Sequence, residues 1–174
     1  KAAVMDSQDK IVRILRTPVN PEQILLRCLT ASPINHVGSL MQKQMILDNS
    51  GYDERLTVPA DYDLWSRLIR KGHRLASTNA VLVAIRLHDQ SLSVKERGER
   101  DISEMLEIMF ANIKHLTTSP VQKENMKLYW RLNYNIGHLS EEEYYTAVGM
   151  LEDIYRKLRP DLNIQPSLIH QTSK

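Results

Sequence analysis

"GYDERLTVPADYDLWSRLIRKG", residues 51–72, decides how the first half of the chain is read. Leu64, Trp65, Leu68 and Ile69 recur at three-four spacing, which gives one apolar helical face. Arg70 and Lys71 fall in the last turn, where cations suit the helix dipole, and Gly72 is placed to end the helix. At its entrance stand Asp61 and Asp63, spelled like a metal-binding Asp-X-Asp. On a helix, residues two apart point about 200° apart, so this pair would converge on one cation only from a loop. The dense helical pattern that follows argues against a loop. The spacing therefore predicts Asp61 as the N-cap and Asp63 as a first-turn acid that favours the dipole. A carboxylate at a helix entrance can also accept a proton from a substrate hydroxyl if it faces a cleft, and the two readings are compatible.

Outward from this helix, the chain reads as short elements before residue 95 and long helices after it. "VNPEQILLRCL" is a helix start, with Asn20 as cap, Pro21 at the first position and Glu22 in the first turn. "TASPINHVGSLMQK" has Pro33 and Gly38 and then alternates, which predicts a loop leading into a short strand. "QMILDNSG" predicts a short helix stopped at Asn49 and Gly51. "AVLVAIRLH" is apolar and β-branched and predicts a buried strand. Beyond it, Ile102, Met105, Leu106, Met109, Phe110, Ile113 and Leu116 repeat at helical spacing. Ser119-Pro120 is expected to break that helix, and "KERGER" reads as a solvated linker or helix start. A second helix is expected through "VQKENMKLYWRLNYNIG". A third is expected from Ser140, with Glu143 completing a capping box and Pro160 after its end. The expected fold is α+β and mostly helical. Residues 1–94 form a half-domain with a few strands, and residues 95–174 form about three bundled helices with a loose tail.

Composition excludes several classes. The chain has 174 residues, 42% hydrophobic and 25% charged, which supports a packed core rather than disorder. A net charge of +2 gives no basic excess for nucleic acid. The lone Cys28 excludes an intramolecular disulfide and a Cys-rich zinc site. No apolar run approaches the roughly 20 residues of a membrane-spanning helix. The opening "KAAVMDSQDK" lacks an initiator Met and a signal-peptide pattern, so the chain is expected to be a piece of a longer protein.

Residues 35–93 carry five segments in a particular order: "SLMQK", "GYDE" at 51–54, "ADYDLWSRL" at 60–68, "GHRL", and "IRLHDQSLS" at 85–93. In that order and spacing the run resembles the C-terminal half of the catalytic domain of family-two, GT-A-fold glycosyltransferases. The resemblance implies an inverting transfer of a sugar from a nucleotide-sugar donor to a glycan or polysaccharide acceptor. In it, Asp61 matches the general base and takes the acceptor hydroxyl proton. Asp63 and Trp65 shape the substrate cleft, Arg86 faces the diphosphate, and His88 approaches a divalent metal (Mg or Mn). The family's metal-binding Asp-X-Asp belongs to the nucleotide-binding half, so "DYD" is not that motif, and no metal is expected to bind this fragment tightly. The resemblance implies a cytoplasmic enzyme, with a place at the periphery of the inner membrane as its variant. Two positions depart from the family pattern: Ala60 stands where Glu often precedes the base, and Gln42-Lys43 replace two arginines. The nucleotide-binding half is not found in these residues, so the piece alone is expected to be inactive.

The remaining candidates keep two readings each. His36 lines the acceptor cleft or is a satisfied loop histidine. Arg86 and His88, two apart on a strand, share one face, either toward a ligand or toward solvent. His73, His115, His138 and His170 show no zinc-like spacing. Cys28 lies on an apolar helix face and reads as core. Tyr129, Trp130, Tyr134, Tyr144, Tyr145 and Tyr155 form an aromatic stripe that packs in the core or grips a sugar or a second subunit. The class opposed to the transferase is a non-catalytic binding or assembly module whose helices mediate association, including homo-oligomers.

Overall fold

The computed structural model describes residues 1–56, 58–88, 98–118, 122–123, 125–134, 137–162 and 164. The Ser119-Pro120 break, Ser91 and Ser93 of the strand-end motif, residues 95–97 of the "KERGER" linker, His170 and the tail beyond 164 lie outside them. Within them the fold is α+β and mostly helical, with one small sheet.

The sheet holds β1 (Ala2–Met5), β2 (Ile11–Leu15) and β3 (Val83–Arg86) in the order β2-β1-β3. β2 runs antiparallel to β1, and β3 runs parallel to it with Ala2 opposite Val83. The β1–β2 turn is closed by one carboxylate. Asp6 Oδ1 accepts the amides of Gln8 (2.9 Å) and Lys10 (3.0 Å), while Asp9 takes a left-handed φ of 65°. Such an Asx turn replaces the glycine a tight hairpin usually needs. Ala2, Ala3 and Val4 of the central strand are buried.

Two strand expectations are corrected. "SLMQK" forms no strand: Ser39 Oγ donates to the His36 carbonyl in a tight turn, and the chain then enters α2 (Lys43–Asp48). "AVLVAIRLH" is not buried along its length. It supplies β3, whose side chains alternate between half-buried and exposed, and Val81 and Leu82 just before it are 49% and 70% exposed.

The helices follow their punctuation. α1 (Pro21–Cys28) starts with Pro21, whose missing N–H costs nothing there, although the Asn20 side chain makes no cap bond. α3 (Ala60–Arg70) buries Tyr62, Leu64, Trp65, Leu68 and Ile69. Its end is a Schellman motif: Gly72 N–H donates to Ile69 O and His73 N–H to Leu68 O, both at 3.0 Å. Gly72 has φ +84°, the left-handed geometry that glycine adopts without strain.

α4 (Glu99–Leu116), α5 (Met126–Tyr134) and α6 (Glu141–Arg156) follow. The capping box on α6 is formed: Glu143 N–H donates to Ser140 Oγ at 3.2 Å, and Ser140 N–H to Glu143 Oε2 at 2.9 Å. These helices do not build a core of their own. Ile24, Leu26 and Leu29 from the α1 region, Tyr62 and Ile69 from α3, Met109 and Ile113 from α4, Tyr129 from α5 and Ile154 from α6 belong to one cluster. The division expected at 94/95 therefore does not separate two cores. In the aromatic stripe, Tyr129 and Trp130 are buried, whereas Tyr144 and Tyr145 are 47% and 64% exposed.

A buried polar hub ties α4 to α1 and α3. Asn112 Nδ2 donates to Ser66 Oγ (2.8 Å) and to the Cys28 carbonyl (2.9 Å), and its Oδ1 accepts from Arg70 (2.5 Å). The Tyr62 hydroxyl donates to the same Cys28 carbonyl at 2.6 Å. The Cys28 thiol is fully buried, and loss of solvation pushes its pKa up to about 12. Cys28 should accordingly resist iodoacetamide at pH 8 in the native chain and react once urea unfolds it, as mass spectrometry would show.

Candidate functional site

The site is the first turn of α3 with the loop segments laid over it. Pro59 occupies the N-cap position and the helix begins at Ala60, so Asp61 is the second helical residue rather than the cap. The helix thus starts two residues earlier than an Asp61 cap would set it. The Asp61 carboxylate accepts the Tyr62 amide at 2.7 Å. Its side chain is half-buried, and removal from water raises its pKa above the usual carboxylate value. The Tyr62 amide, His36 and Ser32 pull it back only in part.

His36 stands against two aromatic rings. Its centroid is 5.6 Å from that of Tyr52, edge to face at 76°, and 6.3 Å from that of Trp65. Tyr52 is 38% exposed. Its phenol is raised above the ordinary value by burial first and by the charge of Asp61 second. The structure thus brings Asp61, His36 and Trp65 together and adds Tyr52, which sequence reading quoted in its motif without assigning it to the site. An exposed aromatic just after a Gly turn was the signal available.

Asp63 does not share this cluster. Its carboxylate pairs with Arg67 at 2.8 Å, one turn along α3. Arg67 also donates to the Asn49 carbonyl and, at 2.6 Å, to the Gly51 carbonyl. Asp63 therefore holds an arginine that holds the 49–51 turn. The two aspartates take different partners, as expected for residues two apart on a helix.

Trp65 is 1% exposed, and its Nε1 has no hydrogen-bond partner among the described residues. It floors a cavity of about 510 Å³ bounded by Asn35, Gln42, Met45, Arg74 and Thr78. Of the candidate residues, Trp65 lines this cavity; Asp61, Arg86 and His88 are not among its described walls. Trp65→Ala should cost roughly 3–5 kcal/mol of stability, read as a shift in the urea midpoint. A midpoint near that of the wild type would remove Trp65 from the core.

Arg86 ends β3 and turns to the β1–β2 turn, where it pairs with Asp9 and donates to the Asp6 carbonyl at 3.4 Å. This pair is exposed and adds little stability. His88 lies two residues further on, exposed. Among the described residues, no three His, Cys, Asp or Glu side chains converge in a set that would hold a metal ion. His88 is thus not part of a ligand set built from those residues, and no chemistry is derived through a metal here. Among the described residues, no helix is long and apolar enough to cross a membrane.

Comparison of the chain with family models, curated proteins and solved structures gives no match.

Proposed function

We propose that this chain is the acceptor-side half of an inverting glycosyltransferase of the GT-A type and that Asp61 is its general base. The observation that supports this reading best is the state of Asp61. It is a half-buried carboxyl with a raised pKa, at the start of a rigid helix, beside a histidine and an exposed aromatic ring. A base poised above the ordinary carboxylate range takes a proton more readily from an attacking hydroxyl. In the proposed step the acceptor oxygen bonds to the anomeric carbon, its proton passes to Asp61, and the nucleoside diphosphate leaves with the electrons of the broken bond.

The nucleotide-sugar site and any divalent cation would belong to a second half of a longer polypeptide. In that setting Arg86 and His88 lie on the donor side. The location proposed for the whole protein is the cytoplasm, including the periphery of the inner membrane. The reading is tested by sugar transfer in a polypeptide carrying both halves, and by whether Asn at position 61 abolishes it.

One observation favours the assembly module instead. Tyr144 and Tyr145 are exposed side by side on α6, with ring centroids 5.6 Å apart. Sedimentation of the chain before and after Tyr145→Ser distinguishes the two: a dimer that the substitution dissolves supports association through the helices.

A further inference from the structure

We propose that the outer edge of β2 takes an added strand from an acidic partner polypeptide, one whose carboxylates recur every third residue. This surface does not depend on sugar transfer. β2 ends the sheet: β1 lies on one side of it, and among the described residues no strand lies on the other. Such an edge carries main-chain N–H and C=O groups that can pair with another chain. Its side chains are bare as well. Ile11, Val12 and Ile14 are 57%, 51% and 38% exposed, and only Leu15 at the end of the strand is half-buried. β-branched residues suit a pleated surface with neighbours, which this edge lacks. The opposite edge is less open. Gly38 packs so close to Val83 that a Cβ there would stand 2.7 Å from Val83 Cγ1, and Arg86 is already paired with Asp9.

Charge selects the occupant. Lys10, Arg13 and Arg16 stand three apart and are exposed. Residues 10–16 hold no acid, although the net charge of the whole chain is only +2. None of the three cations enters an ion pair among the described residues. The two acids of the adjoining turn are engaged, Asp6 by the Gln8 and Lys10 amides and Asp9 by Arg86. A second copy of β2 would set like charges against each other, which is destabilising across a strand pair. The short strand and its register shift blunt the edge against self-pairing in the same way. Neither device opposes an acidic strand. Residues of paired strands meet one to one, so a partner with carboxylates at the same spacing of three places one opposite each cation. Nucleic acid or an anionic membrane would meet the cations but offers no ladder to the main chain. An extended acidic segment with apolar residues between its carboxylates meets the main chain, the isoleucines and the cations together.

The test is fluorescence anisotropy of labelled, capped peptides titrated with the 174-residue chain. The probes are EVVEVVE, its basic counterpart KVVKVVK, and EVPEVPE, which keeps the charge and loses ladder donors at its prolines. The expected result is that EVVEVVE binds roughly tenfold or more tightly than either control at low salt. Added salt weakens it, because the charges are exposed. Amide exchange across β2 slows in the complex. Arg13→Glu, at an exposed position, reverses the preference toward KVVKVVK. Several results would overturn the proposal. They are absence of EVVEVVE binding, equal binding of EVPEVPE, and a preference that Arg13→Glu leaves unchanged. Stronger competition by a thymidine oligonucleotide or by phosphatidylglycerol vesicles than by unlabelled EVVEVVE would assign the edge to those partners instead. A dimer of the free chain with protected β2 amides would assign it to a second copy.

Discussion

Asp61→Asn, in the polypeptide that carries both halves, is expected to slow sugar transfer roughly 10²- to 10⁴-fold, the usual share of a general base. The fold should survive, because Asn keeps the shape of the side chain and an acceptor for the Tyr62 amide. Two pH dependences follow from the raised pKa of Asp61. Transfer needs the ionised base, so kcat/KM falls as pH drops through the raised value, and this limb lies above the ordinary carboxylate range. Stability has the opposite sign. A carboxyl whose pKa is higher in the folded than in the unfolded chain stabilises the fold at low pH, and that contribution is lost as pH rises through the folded value. At neutral pH the ionised Asp61 is therefore a burden on the fold. Asp61→Asn should melt at or above the wild-type temperature at pH 7, with the gap closing as pH is lowered. Calorimetry at several pH values and a transfer assay read both. Wild-type turnover by the variant would remove Asp61 from the base role.

Ending the chain at residue 94 is expected to abolish cooperative folding. The helices beyond that point supply Met105, Met109, Ile113 and Leu116, which close over α1 and α3 in a single cluster. Each such side chain contributes about 1.5–3 kcal/mol when buried, and whole domains are stable by only about 5–15 kcal/mol. The cut also removes Asn112, which takes from Arg70 its side-chain acceptor and leaves the buried Ser66 hydroxyl with the longer contact to the Cys28 thiol. Urea titration of residues 1–94 should show no sigmoidal transition, and its amide NMR spectrum should be collapsed. A dispersed spectrum would establish that the first half carries an independent core.

The helical content was legible because its punctuation is chemical and local. Gly72 after Arg70, the Ser140–Glu143 box and the Pro21 start each act within one turn, and each occurs where the pattern places it. The sheet was less legible. β1 and β2 are four and five residues long, and their turn uses two aspartates instead of glycine. β3 reads as buried from its composition, but burial depends on what covers each face of a sheet, and its side chains alternate between half-buried and exposed. The candidate site was legible in part. His36 stands against Trp65, and Asp61 lies within electrostatic reach of His36, while of the three Trp65 alone is a described wall of the cavity. The Asp63–Arg67 pair at i,i+4 was open to inspection, yet its further reach to Asn49 and Gly51 depends on a tertiary approach that spacing does not encode. Arg86 finds its partner in Asp9, across a hairpin that had not been recognised.

The parallel pairing of β1 with β3 sets an order of events during synthesis. Ala2 is made before Val83, and Val83 comes only after α1, α2 and α3 have been made. At about 5–20 residues per second the β1–β2 hairpin waits on the order of several seconds without β3 beside it. Closing so distant a pair is slow in its own right. The sheet is thus a late seam, sewn once the helices between its strands have collapsed, and a nascent chain stalled before residue 83 would display an unfinished edge to its neighbours.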